Sequence, residues 1–268
     1  PQTAVNQDQA TAQLRRAAEL IDLNRPEQAL EVLGALLTTA PPLAARIYAL
    51  MTSAHLQLGH VAEAVRTAQE GVRADPSLPV AQLMLANAFQ YSSQSRQAVA
   101  AARNAIALDP TLVDAYHTGA QALSDLRKHA EAERWAQTAV ELDPSNPDGH
   151  FAMGYVLHER RPAVAIAAYR AALERNPAHM MALQNLATLT VKSGDRDAGA
   201  KMMADVLAGT RGAKFTVGVL DVMITQITWR LHRVSLLLFF VINMLLAAAW
   251  GATAPNPWPA TVAAGCCL

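Results

Sequence analysis

Cysteine is nearly absent from this chain. The two that occur, Cys266 and Cys267, are adjacent and close to the end of 268 residues. A disulfide framework is excluded, and no metal-ligand spacing exists. The prenylation pattern fails too, because Gly265 stands where it requires cysteine. Glycine is thinly spread: the 13 glycines stand singly, so no phosphate-cradling loop is present. No His-Glu-x-x-His metal pattern occurs, and no serine has a nucleophile-elbow context. Net charge is zero with His neutral, so no basic field calls for nucleic acid. Acidic residues stop at Asp221. These absences argue against an enzyme and against a bound cofactor or metal.

What is present is alanine and a regular beat of proline. Hydrophobic residues reach 52% while aromatics are 5%. Much of the excess is Ala, which favours helix and lets helices approach closely. Arg outnumbers Lys 18 to 4, a balance that with so much Ala suits a GC-rich bacterial genome. Pro76, Pro110, Pro144 and Pro177 follow Asp75, Asp109, Asp143 and Asn176, with gaps of 34, 34 and 33 residues, and Pro41 lies 35 before Pro76. A constant period near 34 means one supersecondary unit copied head to tail. Before each proline, large residues such as Tyr116 and Leu123, with Gly119 and Ala120 between them, mark one helix face. Small residues such as Ala132, Ala136 and Ala139 mark the next. Turn signals separate the halves at Leu58-Gly59-His60, Tyr91-Ser92-Ser93, Leu126-Arg127-Lys128 and Ser193-Gly194-Asp195. Proline then stops each second helix, because it lacks a donor and disfavours helix in the residue before it. The unit after Pro144 is one residue short, which predicts a tightened turn with Pro162 opening its second helix.

These helix pairs, with their small and large positions and closing proline, resemble the tetratricopeptide repeat family over roughly residues 10–209. The second-helix alanines keep the family's pattern well. Its aromatic at the first large position is kept as Tyr48 and Tyr116, but Gln82 and His150 replace it elsewhere. The resemblance implies an all-α, right-handed solenoid of about six helix-turn-helix units. Residues 1–9 are polar and expected to fray.

Past the array, residues 210–268 carry four Lys/Arg against Asp221 alone. Residues 210–233 read as a linker and an amphipathic helix, with Asp221, Thr225, Thr228 and His232 on one side. That helix would either lie on a membrane or cap the array. Residues 234–254 hold no charge, and a helix of that length spans about 31 Å, matching a hydrocarbon core of about 30 Å. Trp229, Arg230, Arg233 and Trp250 stand at its ends as interfacial anchors. All the flanking basic residues precede the span, which places the array on the cytoplasmic side, in a bacterial inner membrane. Residues 255–268 form a short tail that reads as the start of a second span. The chain is therefore expected to be a piece of a longer membrane protein. It begins without Met, so a removed signal segment stays open.

In the family, the first helix of each unit lines a concave surface. Counting from the prolines, the resemblance puts Asn87, Gln90, Tyr91, His117, Gln121, Asp125, Phe151, Tyr155, His158, Gln184 and Asn185 there. Such aromatics and amides suit an extended peptide held by hydrogen bonds and stacking. His158 and Glu159 read as solvated rather than liganding. The inward set has no lysine or arginine, so a clamp for chaperone C-terminal carboxylates is not expected. The chain reads as a membrane-anchored interaction scaffold, with a protein or peptide partner in the groove, the lipid bilayer, and other membrane subunits as contacts. Two alternatives stay open: the regulatory region of a longer membrane enzyme or transporter, and a constitutive structural subunit of a membrane complex.

Overall fold

The structure is a computed structural model and describes residues 2–194, 198, 199, 201 and 202. All of them belong to one unit, Pro1–Val206. No β-strand occurs among them. The first pair is α1 (Gln2–Asp22) and α2 (Pro26–Thr39), followed by a 3-10 turn at Pro41–Leu43. Next come α3 (Ala44–Gln57) with α4 (Val61–Ala74), and α5 (Pro79–Tyr91) with α6 (Ser95–Leu108). Then follow α7 (Val113–Asp125) with α8 (His129–Leu142), α9 (Pro147–Leu157) with α10 (Pro162–Arg175), and α11 (Met180–Lys192). Five complete helix pairs and the first helix of a sixth are thus described. Helix α1 starts at Gln2, so the segment expected to fray is helical. The expected amphipathic helix, membrane span and tail lie outside the described residues. Among the described residues, no helix is long and apolar enough to cross a membrane.

Four of the five helix pairs stop in the same way. Asp75, Asp109, Asp143 and Asn176 take φ from −149 to −138° and ψ from 91 to 98°. This is the extended backbone that a following proline imposes. The side chain then does a second job, which the proline spacing does not reveal. Asp75 Oδ1 accepts from the Ser77 amide at 2.9 Å and hydroxyl at 2.7 Å. Thr111 gives Asp109 the same two bonds at 2.9 and 2.7 Å, and Ser145 gives them to Asp143 at 2.9 and 2.6 Å. Asn176 keeps the amide bond alone, from Ala178 at 3.0 Å. These turns aim the chain into the next first helix.

The turn inside each pair repeats as well. Asn24, Gly59, Ser93 and Arg127 have φ of 56, 71, 60 and 57°. The amide of the next residue reaches back five places: Arg25 to Leu20, His60 to His55, Gln94 to Phe89, Lys128 to Leu123. That is the hydrogen-bond pattern of a helix closed by one left-handed residue. The shortened fifth unit departs as expected. Its turn has no left-handed residue, Arg160 and Arg161 both donate to the Leu157 carbonyl, and Pro162 opens α10.

Packing follows three rules. Each first helix packs on its own second helix, and each second helix packs on the next first helix. First helices also pack on one another along the series α1, α3, α5, α7, α9 and α11, with no comparable series among the described second helices. The first helices therefore make one continuous face. Alanines let this happen: Ala64, Ala98, Ala102, Ala105, Ala132, Ala136, Ala139, Ala165 and Ala172 are fully buried. Larger side chains fill the space beside them, including Leu33, Leu36, Ile47, Leu123 and Tyr169. Each buried leucine contributes about 1.5–3 kcal/mol over an exposed one. Thr52 and Thr67 are buried polar exceptions, and bond to each other at 3.0 Å.

Candidate protein-binding face

Three of the expected groove residues meet on the first-helix face, but they bind one another. Asp125 ends α7, and its Oδ2 accepts from Gln90 Nε2 of α5 at 2.7 Å. Its Oδ1 accepts from the Tyr155 hydroxyl of α9 at 2.7 Å. Ser95 adds a longer bond to Oδ2 at 3.4 Å. One carboxylate thus ties three successive units together. Burial, reinforced by Asp125, pushes the Tyr155 hydroxyl above its ordinary pKa, so it stays a donor. Asn87 is engaged in the same manner, accepting from Thr118 of the next unit at 2.8 Å.

Two histidines meet carboxylates. His117 Nε2 lies 3.3 Å from Asp114 in its own helix. His179 bridges units: its Nδ1 accepts from the Ala182 amide at 3.1 Å, capping α11. That leaves the Nε2–H to donate to Asp148 of α9 at 2.9 Å. The hydrogen bond from His179 is the main cause holding the Asp148 carboxyl below its usual range. Neither Asp114 nor Asp148 was among the expected groove residues. The signal was in the sequence: each is the second residue of a first helix, 34 residues apart.

Phe151 is a correction. It is 2% exposed and packs in the core against Tyr169 and His179, with ring centroids 5.9 and 5.0 Å away. A ring so enclosed cannot line a groove. His158 is a second correction, because it is half-buried rather than solvated. Its Nδ1 lies 3.3 Å from the Tyr169 hydroxyl, and burial lowers its pKa. Tyr91 is 60% exposed at the end of α5. Gln121, Gln184 and Asn185 are half-buried, and their side chains make no hydrogen bond among the described residues. These last four have free capacity for a partner. Trp229, Arg230, Arg233 and Trp250 lie outside the described residues. Among the described residues, no cluster of three or more His, Cys, Asp or Glu could hold a metal ion.

The geometry agrees with comparisons to known proteins. A family model described as tetratricopeptide repeat matches residues 14–79, 83–147 and 117–179. No curated protein matches the sequence. Among solved structures, a thermophilic tetratricopeptide protein of Thermus thermophilus, TTC0263, is similar with TM-score 0.59 and 20% identity. The match covers 68% of this chain and 99% of that one. PilF of Pseudomonas aeruginosa gives TM-score 0.58 at 15% identity, covering 78% and 95%. The Cut9–Hcn1 hetero-tetramer of the APC/C gives TM-score 0.65 at 18% identity, covering 74% of this chain and 39% of that one. At these identities the likeness concerns the fold.

Proposed function

Because the chain belongs to the tetratricopeptide repeat family, we propose that it is a scaffold that holds a protein partner on its first-helix face. One observation carries this: the first helices form a continuous face that keeps free side chains at Tyr91, Gln121, Gln184 and Asn185 after its internal bonds are made. Binding there needs no bond-making chemistry. Aromatics give contact area, and amides give hydrogen bonds, to an extended chain.

The uncharged run 234–254, flanked by Arg230 and Arg233, supports a membrane tether with the array on the cytoplasmic side. A tether raises the effective concentration of the scaffold near membrane partners. The test is capture of partners from membranes by the intact chain, and by a version with Gln121→Ala, Gln184→Ala and Asn185→Ala. A partner cross-linking to α7 and α11 and lost from the variant supports the reading. Partners held equally by both, with cross-links on the second helices, reject it.

A further inference from the structure

We infer that the face formed by α5, α7 and α9 takes an extended segment bearing lysine or arginine side chains. This rests on the proposed function and adds the chemistry of the partner. Positive charge is segregated between the two sets of helices, whereas acidic residues occur in both. The first helices α5, α7 and α9 contain no Lys or Arg, and carry Asp114, Asp125 and Asp148. The second helices α6, α8 and α10 carry Arg96, Arg103, Arg134, Arg170 and Arg175.

The two sets also differ in how their charge is answered. On α8, Glu141 accepts from Gln137, while the other two of its three acidic groups find cations within the protein, Glu131 with Arg103 and Glu133 with Arg161. The three first-helix carboxylates do not. Asp125 accepts only from neutral donors, and Asp148 from an imidazole that already caps α11. Asp114 has His117. Among the described residues, no guanidinium or ammonium group comes within ion-pair reach of any of them. The carboxylates of Asp114 and Asp148 remain half-exposed, at 50 and 49%.

An unanswered negative face selects against acidic partners and steers cationic ones toward it. The spacing fits an extended chain. Adjacent helices lie about 8–10 Å apart, which is roughly three residues of extended backbone. Cationic side chains three residues apart can therefore meet Asp114 and Asp148 together. Toward the other end of the face, level with Asp125, the exposed Tyr91 ring offers a surface for the stem of a further lysine or the plane of an arginine.

The test uses the full chain in non-ionic detergent and fluorescence anisotropy. The probes are labelled peptides of about twelve residues with lysine, glutamate or serine at every third position. The lysine peptide is expected to bind at least tenfold more tightly than the other two, and to weaken as salt rises. The pair Asp114→Asn with Asp148→Asn keeps the shape and should cost tenfold or more. Glu131→Gln with Glu133→Gln on the other helices should cost little. Thermal melts show that each variant is folded. Equal binding of the three peptides on this face, blocked by Tyr91→Ala, overturns the charge inference and leaves the scaffold reading intact. Lysine-peptide binding that the Glu131/Glu133 variant weakens as much as the aspartate variant also overturns it, as general polycation binding. No peptide binding on this face by any probe overturns both.

Discussion

Gly154 and Tyr169 interlock. A methyl group at position 154 would lie 2.5 Å from Cε1 of the Tyr169 ring, inside any real contact distance. The two preceding units hold alanine at both places. Ala86, Ala120 and Gly154 are 34 apart on the first helices, and Ala102, Ala136 and Tyr169 occupy one register on the second. The fifth unit thus enlarges one partner and empties the other. Gly154→Ala should destabilise the protein by about 1–3 kcal/mol through overpacking, because a fully buried ring has nowhere to move. Tyr169→Ala should cost about 3 kcal/mol or more. The double variant restores the alanine pair and should cost less than the sum. Urea melts of the four proteins measure this, and strict additivity would show that the two residues do not share the space.

Tyr169 also makes the fifth unit sensitive to acid. Its hydroxyl meets His158, whose pKa is lowered chiefly by burial and also by the charge of Lys192. The unfolded chain therefore binds a proton more readily than the folded one. The stability from a neutral His158 is complete above about pH 6.5 and is lost as pH falls through the lower folded value. His55, lowered by burial and by His60, adds a slope of the same sign. His158→Gln should flatten the fall in urea midpoint between about pH 6.5 and 5, and adding His55→Gln should flatten it further. An unchanged slope in both variants would mean that neither histidine titrates in that range.

The repeating fold was open to reading because its punctuation is covalent. A proline every 34 residues acts on the backbone wherever it stands, and alanine rows follow from helix contact. The groove was less legible. Phe151 and Tyr155 are both aromatic and four residues apart, yet one is core and the other half-exposed. Helical spacing cannot separate them, because the difference comes from Tyr169 and His179 on neighbouring helices. Likewise, Gln90 and Asp125 are polar residues on one face, and their bond depends on how far one unit is rotated from the next.

The Asp-Pro turns predict a second acid response at lower pH. Hydrogen bonds from Ser77, Thr111 and Ser145 hold the carboxyls of Asp75, Asp109 and Asp143 below their ordinary range. Stability from these bonds is present above about pH 4 and is lost as pH falls through the lower folded values. Asn in place of all three keeps the amide acceptor, as Asn176 does naturally. That variant should be less stable than the native protein at pH 7, with the gap closing by about pH 2. Thermal melts at both pH values test it. A gap that stays constant would show that the charge is irrelevant to the turn.

Arg127 occupies a left-handed position that other units give to Gly59 or Gly194. A side chain there costs about 1–2 kcal/mol, part of which glycine returns as extra freedom in the unfolded chain. Arg127→Gly should raise stability by roughly 0.5–1 kcal/mol. The mirror change, Gly59→Arg, should lower it by a similar amount. Chemical denaturation of both variants gives the answer, and a loss from Arg127→Gly would point to an interaction of the guanidinium that outweighs backbone strain.

Asp125 offers the sharpest test of how the units are coupled. Stability in an array divides into what each helix pair holds by itself and what neighbouring pairs hold between them. Asp125 contributes to the second part, because Gln90, Asp125 and Tyr155 come from three successive first helices. Asp125→Ala strands the Gln90 amide and the half-buried Tyr155 hydroxyl, a loss of roughly 1–3 kcal/mol. The loss falls on interfaces, so unfolding should become less cooperative as well as easier, with a lower urea m-value and a lower midpoint. Tyr155→Phe removes one bond and should give a smaller shift in both. Hydrogen exchange locates the effect: amides of α9 and α10 should open more readily than those of α3 and α4. A midpoint that falls with m unchanged and exchange raised evenly along the chain would place Asp125 within its own unit rather than between units.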